Sequence, residues 1–485
     1  MKKIKYIFAV WTVLAGFACS EQVKTYVAID ADATIYPAYT GTVIPCNIAP
    51  LNFKIQTEGS RYLVRFVAGN DSFAVATKQE VQIPLKRWRK LLSAHSDEDL
   101  QVKIFVKQTN GDWTKYRDIT FHVAPDPIDP YLVYRLIEPG YASWNKMGIY
   151  QRCLENFDET PVLLNTLTNE NCMNCHTFCQ HSPDKMLFHL RGIHGGTIFA
   201  DHGKLKKINT QASWMVKAGV YPRWHPDGKY VVFSTNNTSQ EFLAMHTNKI
   251  EVFDFKSDLA IYDTEQDKIF SYDILRSDSS YETFPEWSPD GCWLYFCTAP
   301  ALDMPIEYKD LKYSLVRVPF NPSDGSVGNE VDTLFSAEKT GKSTSIPRIS
   351  PDGKYLAFCL FDYGTFPIWH RENDLYQINL ETMETLPMTD ANSDDTDSYH
   401  CWSSNGRWMI FSSRRLDKNC TRLYISYFDE TGHAHSPILL PQKTSDYYDY
   451  LMQSYNIPEL ISKKISISPY VFAAAAKKEA VKVKE

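Results

Sequence analysis

The chain has 485 residues, of which 44% are apolar and 14% aromatic, so it can form large hydrophobic cores and is not an intrinsically disordered protein. Its formal net charge is −7, which argues against a nucleic acid as partner. The length predicts two or three domains, and the aromatic content favours strands over helices.

The N-terminus has the features of a bacterial export signal. Lysines at positions 2, 3 and 5 precede an apolar run at 7–17, which is too short to span a membrane. Residues 16–19 read Gly-Phe-Ala-Cys and resemble a bacterial lipoprotein cleavage site, with Cys19 as the lipid-bearing residue. An ordinary signal peptide is the alternative. We expect residues 1–18 to be a signal peptide and the mature protein to be anchored through lipid to a membrane of the cell envelope, on the periplasmic side or at the cell surface.

The segment after this signal predicts a first β domain. Residues 19–32 are interpreted as a tether, and residues 33–123 alternate polar and apolar side chains in about seven short strands, with one short helix near 85–92. This pattern is typical of a β-sandwich and carries no recognisable chemistry. Residues 124–147 begin with three prolines within six positions and are predicted to be a proline-rich linker.

A turn followed by an apolar strand then occurs four times along the chain. The turns read Tyr-Pro-Arg-Trp-His-Pro-Asp-Gly at 221–228, Phe-Pro-Glu-Trp-Ser-Pro-Asp-Gly at 284–291, Ile-Pro-Arg-Ile-Ser-Pro-Asp-Gly at 346–353 and Tyr-His-Cys-Trp-Ser-Ser-Asn-Gly at 399–406. Proline and glycine favour a tight hairpin, and a second strand pair follows each turn, so four-stranded units repeat as in a β-propeller. The turns resemble the W-S-P-D-G-K hairpins of TolB-like propellers. That resemblance implies a six-bladed ring and no single activity.

Two further segments bear on the blade count. Residues 181–190 align without a gap to 287–296 as a degenerate hairpin, which would open the first blade. A strand pair near 148–165 has no such hairpin and is predicted to complete the last blade together with C-terminal strands. The predicted fold is therefore all-β, with a β-sandwich followed by a propeller of six or five blades over 148–470. Residues 471–485 are predicted to be a flexible tail.

The first blade carries a sequence that predicts a cofactor. Cys172-Met173-Asn174-Cys175-His176 reads C-x-x-C-H, the attachment sequence for a c-type haem. In this interpretation, Cys172 and Cys175 form thioethers to the porphyrin and His176 is the proximal iron ligand. We expect the motif in the loop before the innermost strand, at the end of the ring where the long loops open. A thioredoxin-like redox pair and a chance match are the alternatives. The segment 126–176 with the propeller also resembles lipoproteins of Bacteroidetes-type bacteria described as TolB-like or cytochrome c-related.

The sixth iron ligand is assigned to His194, which lies in the long loop of the first blade beside two glycines. The alternatives are His181, His189, His400, Met173 and Met186. Other long loops of the same end carry the residues Met245, His246, Phe253, Tyr363, Phe366, Trp369 and His370. These side chains suit the apolar wall of a haem, or they simply cover blade edges.

The favoured function is that of an exported lipoprotein with one covalent haem c on a TolB-like propeller, which exchanges electrons with a redox or envelope protein partner in the periplasm or at the cell surface. The alternative is a propeller binding module for an envelope protein, peptide or glycan, with the haem structural or absent. A haem enzyme is a third interpretation. The sequence contains no G-x-S-x-G, H-E-x-x-H or P-loop motif, so an enzyme is the less favoured class.

Overall fold

A computed structural model describes residues 23–138, 146–243 and 248–485. The predicted signal peptide, the predicted lipidation site Cys19 and the rim residues Met245 and His246 lie outside the described residues. Within these ranges, no helix has the length and apolar character needed to cross a bilayer.

The N-terminal part is built from two sheets and one helix. Its elements are β1 (Val27–Ala28), β2 (Ile35–Tyr36), β3 (Val43–Pro45), β4 (Phe53–Ile55), β5 (Arg61–Ala68), β6 (Asp71–Thr77), β7 (Glu80–Val81), α1 (Leu85–Ala94), β8 (Glu98–Lys107), β9 (Trp113–Lys115) and β10 (Ile119–Ala124). The larger sheet has the order β1-β9-β8-β10-β3, with β5 and β6 joined to β8, and the smaller sheet has the order β2-β4-β7. Apolar residues of both sheets and of α1 are buried in one cluster that includes Phe53, Phe66 and Trp88. Strand β1 lies within the predicted tether and pairs with β9.

The rest of the described chain forms six sheets of four principal strands each, which are the blades of a propeller. Blade 1 contains β14 (Cys172–Cys179), β15 (Ser182–Arg191), β16 (Gly196–Asp201) and β17 (Lys204–Asn209), and blade 2 contains β18 (Val220–Trp224), β19 (Tyr230–Phe242), β20 (Ile250–Asp263) and β21 (Lys268–Phe270). Blade 3 contains β22 (Ser280–Trp287), β23 (Trp293–Pro300), β24 (Ser314–Asn321), the short β25 (Ser326–Val327) and β26 (Asp332–Phe335). Blade 4 contains β27 (Ser343–Ile349), β28 (Tyr355–Phe361), β29 (Asp374–Asn379) and β30 (Thr385–Pro387), and blade 5 contains β31 (Asp397–Trp402), β32 (Trp408–Ser413), β33 (Arg422–Tyr427) and β34 (Ile438–Leu439). Two short helices, α2 (Ala337–Thr340) and α3 (Tyr447–Tyr450), lie in the connections.

Blade 6 closes the ring with strands from both ends of the propeller sequence. Its innermost strand is β35 (Ser454–Ile461), and the other three are β11 (Tyr131–Ile137), β12 (Met147–Cys153) and β13 (Glu159–Leu164). This is the predicted arrangement of N- and C-terminal strands. The boundary of the predicted linker is wrong, however, because β11 lies inside it and is a blade strand. The proline-rich start of the predicted linker contacts blade 5, where the Trp408 indole N–H donates to the Asp126 carbonyl oxygen at 3.0 Å.

The C-terminal residues are not a flexible tail. Helix α4 (Pro469–Ala476) buries Phe472 against Phe188 of blade 1, with ring centroids 5.3 Å apart. Strand β36 (Val481–Lys482) then pairs in parallel with β17. A flexible tail was predicted here, but burial of Phe472 and three alanines of α4 holds this segment on the propeller.

Candidate functional site

A backbone bulge recurs in the innermost strand of every blade and locates the C-x-x-C-H sequence. One residue of each strand has a positive φ, between 48° and 57°, namely Cys175, Tyr221, Phe284, Ile346, Tyr399 and Ile457. The register with the neighbouring strand shifts at this point in all six blades. The following residue is proline in four blades and histidine in two, His176 and His400. Cys175-His176 thus occupies the same place as Tyr399-His400 and four residue pairs ending in proline.

The C-x-x-C-H sequence therefore does not lie in a loop before the innermost strand, as predicted, but inside β14 itself. Cys172 is half-buried opposite Arg191 of β15, whereas Met173 and Cys175 are buried. Burial raises the pKa of the Cys175 thiol. A buried thiol with a raised pKa stays protonated at neutral pH, which makes it a poor nucleophile.

The six positive-φ residues line the central channel of the ring. The free space between them and the side chains below is only about 30 Å³. At one end, Phe366 from the β28–β29 loop packs on Phe284 and Tyr221, with ring centroids 5.8 and 6.0 Å apart. The channel beside Cys175 and His176 is therefore filled with protein side chains.

A charged layer lies next to these residues in the channel. The Glu286 carboxylate contacts the guanidinium groups of Arg223 at 2.8 Å and Arg348 at 3.3 Å. Arg223 also pairs with Glu459 of β35 at 2.9 Å. These buried pairs link blades 2, 3, 4 and 6 and hold the closing strand to the ring.

The arrangement does not fit a covalently attached porphyrin. Pockets that hold ligands of drug size have volumes of about 300–1,000 Å³, and the space against Cys175 and His176 is about 30 Å³. A wider groove next to β14 is lined neither by the two cysteines nor by His176. Among the described residues there is also no cluster of three histidine, cysteine or acidic side chains that could hold a metal ion.

The environment of His176 is a property of its place in the repeat. Neither ring nitrogen of His176 has a hydrogen-bond partner among the described residues, and the same is true of His400. Burial lowers the pKa of His176 to about 4 and that of His400 to about 3, so both rings are neutral. Blade 5 has no cysteine pair before its histidine, so unpartnered ring nitrogens at this position do not by themselves indicate a ligand to iron.

Five of the residues predicted as sixth ligand lie in blade 1, and the sixth, His400, lies in blade 5. His194 lies on the rim, where its Nε2 is 2.9 Å from Asn169 Oδ1, and His181 lies in the β14–β15 turn with its Nδ1 3.0 Å from the Leu460 carbonyl oxygen. Met173 and Met186 are fully buried in the core shared by blades 1 and 6. No contact in the described structure brings any of them to His176.

The gapless alignment of residues 181–190 to 287–296 is wrong by two residues. Gln180 and His181 form a two-residue turn with positive φ, and Met186 pairs with Phe178 as Leu294 pairs with Trp287. His189 is thus equivalent to Cys297, not to Tyr295. Its Nδ1 lies 3.0 Å from Thr197 Oγ1, and burial lowers the pKa of His189 to about 3.

The aromatic residues of the long loops mainly contact one another. Phe253 packs on Tyr308, Tyr308 packs on Tyr363, and Tyr363 packs on His370, with centroids 5.1, 5.6 and 4.8 Å apart. The Tyr363 hydroxyl donates to Glu251 at 2.6 Å. This cluster covers blades 2 to 4, as the simpler interpretation of these loops expected.

A groove of about 710 Å³ opens between blades 1 and 2 at the same end of the ring, and sequence analysis did not find it. We call it the Arg191–Lys217 groove. Its lining residues are His189 to Ile193, Gly195 and Gly196 of blade 1, Asn209, Gln211, Lys217, Ala218, Val220, Tyr221, Asn236, Thr238 and, from the C-terminal segment, Glu479 and Ala480. They come from four separate stretches of sequence, so no local motif marks the groove.

Comparisons with known proteins bear on the fold alone. No family model and no curated protein matches this chain. Solved structures that resemble it include the β-propeller domain of the Trilobed protease from Pyrococcus furiosus, with 14% identity over 71% of this chain and 91% of that chain and a TM-score of 0.33. An oligogalacturonate lyase in complex with manganese has 14% identity over 62% and 77% of the two chains and a TM-score of 0.35. A puromycin hydrolase has 12% identity over 66% and 53% and a TM-score of 0.39.

Proposed function

We propose that this chain is an exported binding protein, anchored through lipid at Cys19 in the cell envelope, which captures a polar ligand in the Arg191–Lys217 groove. The observation that carries the proposal is the groove itself, an open cavity of about 710 Å³, whereas the free space beside Cys175 and His176 in the central channel is about 30 Å³. Cavities of this volume accommodate an oligosaccharide or a short peptide.

The composition of the groove supports binding rather than catalysis. Its polar groups are amides, the hydroxyls of Tyr221 and Thr238, two cations and one carboxylate, which can form hydrogen bonds to a ligand. The one histidine, His189, is held neutral and in contact with Thr197, and Glu479 stands on the exposed C-terminal segment. A nucleophile activated by a neighbouring base is not found among the residues that line the groove.

A groove-filling variant tests this function. The half-buried Ala218 lies between the two blades, and Ala218→Trp places an indole in the cavity. We expect the wild-type protein to bind one class in a panel of immobilised oligosaccharides and envelope peptides, and Ala218→Trp to weaken this binding at least tenfold. Lys339→Trp, on the exposed surface of α2, is the matched control. Absence of binding to the whole panel, or equal binding by Ala218→Trp, would overturn the proposal.

Electron transfer through a haem c is the second candidate function. The C-x-x-C-H sequence and the unpartnered ring nitrogens of His176 favour it. Two observations argue against it: the free space beside Cys175 and His176 is only about 30 Å³, and His400 has an equivalent environment without a cysteine pair. Expression with a cytochrome maturation system, followed by a haem stain of the denatured protein, decides between the two. We expect no covalent haem; a stained band that disappears in the variant with both Cys172→Ala and Cys175→Ala would establish the second candidate.

A further inference from the structure

The Arg191–Lys217 groove has two cationic side chains, Arg191 and Lys217, and one acidic side chain, Glu479, in its lining. Arg191 and Lys217 both line the groove and are exposed. Some exposed cations elsewhere, such as Lys342 and Lys418, pair with acidic side chains. Over the described ranges, no ion pair or side-chain hydrogen bond engages the Arg191 guanidinium or the Lys217 ammonium group. In a chain with 58 acidic and 51 basic residues, two unpaired cations facing one cavity indicate a site for an anion.

The neutral polar groups of the groove indicate hydroxyl groups as the second recognised feature. The Asn236 amide is already engaged, because its Oδ1 accepts from Ser234 at 2.6 Å and its Nδ2 donates to Thr283 at 3.2 Å and to Asp254 at 3.4 Å, so only its Oδ1 can accept a further hydrogen bond. The side chains of Gln211 and Thr238 form no hydrogen bond within the part of the chain that the structure describes. An amide and a hydroxyl can each both donate and accept, as the hydroxyl groups of a sugar require.

The strands beside the groove offer no edge to an extended peptide. The outer edge of β17 in blade 1 is already paired with β36, through Ile208 with Val481 and Asn209 with Lys482. On the other side, β18 is the innermost strand of blade 2 and pairs with β19. Its other edge faces the central channel, where the free space beside it is only about 30 Å³. Peptides that bind by adding a strand need an open edge, so recognition in this groove depends on side chains.

We propose that the ligand of the Arg191–Lys217 groove is a carboxylate-bearing oligosaccharide. The inference rests on the proposed binding function and adds the chemical class of the ligand. The carboxylates pair with Arg191, which can form two parallel hydrogen bonds to one carboxylate, and with Lys217. The sugar hydroxyls contact the Gln211 amide and the Thr238 hydroxyl, and one of them donates to Asn236 Oδ1.

Calorimetric titration of the purified mature protein with defined trisaccharides tests the ligand class. The probes are trimers of glucuronic, galacturonic and mannuronic acid, the methyl ester of each trimer, a neutral glucose trimer, inorganic phosphate and a triglutamate peptide. We expect at least one uronic acid trimer to bind, its methyl ester to bind at least tenfold more weakly, and phosphate and triglutamate not to bind. Binding should also weaken as salt is added.

Two charge-removing variants link this binding to the groove. Arg191→Gln and Lys217→Gln should each reduce the affinity for the uronic acid trimer about tenfold, or about 1.4 kcal/mol. Lys339→Gln, which removes an equally exposed cation on α2, should leave it unchanged. Equal melting temperatures of all variants would show that the fold is intact.

The outcomes separate this inference from the proposed function. If a neutral trimer or a methyl ester binds as tightly as the acid, or if Arg191→Gln and Lys217→Gln bind like wild type, the inference is wrong and the binding function stands. Preference for phosphate or for triglutamate would likewise overturn the carbohydrate assignment. If Ala218→Trp has no effect on any ligand, the binding function itself fails.

Discussion

Replacement of His176 by proline tests whether the C-x-x-C-H histidine is an ordinary member of the propeller repeat. Proline occupies this place in four blades, at Pro222, Pro285, Pro347 and Pro458, so His176→Pro should fit the backbone. A proline compatible with the native backbone stabilises a protein by about 0.4–1 kcal/mol, mainly by restricting the unfolded chain. We expect His176→Pro to raise the free energy of unfolding by this amount at pH 7.5.

The gain should grow as the pH falls. Burial holds the pKa of folded His176 at about 4, below its ordinary value of 6.5. Between these values the unfolded chain binds a proton that the folded protein does not, so wild type loses about 1.4 kcal/mol of unfolding free energy for each pH unit below 6.5. Proline does not titrate, and His176→Pro should therefore exceed wild type by about 2 kcal/mol more at pH 5.0 than at pH 7.5.

Urea unfolding followed by tryptophan fluorescence at pH 7.5 and 5.0 measures both effects. His400→Pro is the matched control, because His400 has the same place in the repeat and a pKa of about 3. We expect the two variants to behave alike. A loss of more than about 2 kcal/mol in His176→Pro at pH 7.5, without such a loss in His400→Pro, would refute the reasoning and give His176 a role of its own.

Three further predictions concern the buried charges and the C-terminal helix. Burial raises the pKa of Glu282 to about 7, so between pH 4.5 and 7 the folded state keeps a proton that the unfolded state has lost. Wild-type stability therefore falls as the pH rises through this range. Glu282→Gln should raise the unfolding free energy by roughly 2–3 kcal/mol at pH 8 and little at pH 4.5, as urea denaturation at the two pH values would show. Glu286→Ala leaves Arg223 and Arg348 without their shared carboxylate and should cost about 3–5 kcal/mol, and an unchanged urea midpoint would contradict this role. Phe472→Ala should cost about 3–5 kcal/mol and lower the melting temperature in calorimetry, whereas a flexible tail would tolerate it.

The propeller could be predicted from the sequence because its signals are local. The turn at 284–291 contains Pro285, Pro289 and Gly291, and these residues restrict the backbone whatever lies elsewhere in the chain. Closure of blade 6 was also predictable, since the strands near 148–165 had no partner hairpin. The register of blade 1 was not, because its turn is shortened to Gln180 and His181 and a gapless comparison shifts every later residue by two.

The candidate site depended on contacts that the sequence does not display. The groove brings Arg191, Lys217, Asn236 and Glu479 together from positions up to 288 residues apart, and only the ring places them side by side. The tail was misjudged for the same reason, since Phe472 is buried by blade 1 rather than by its own helix.

The sequence by itself determined an all-β chain with a repeated four-stranded unit, because hairpin turns and apolar alternation act over a few residues. Only the tertiary structure decided where Cys172, Cys175 and His176 point. Their strand bends at the same bulge as the other five innermost strands, and the closed ring packs six such bulges around one axis. Space at that axis is set by all six blades together, so a five-residue motif cannot determine by itself whether a cofactor has room there.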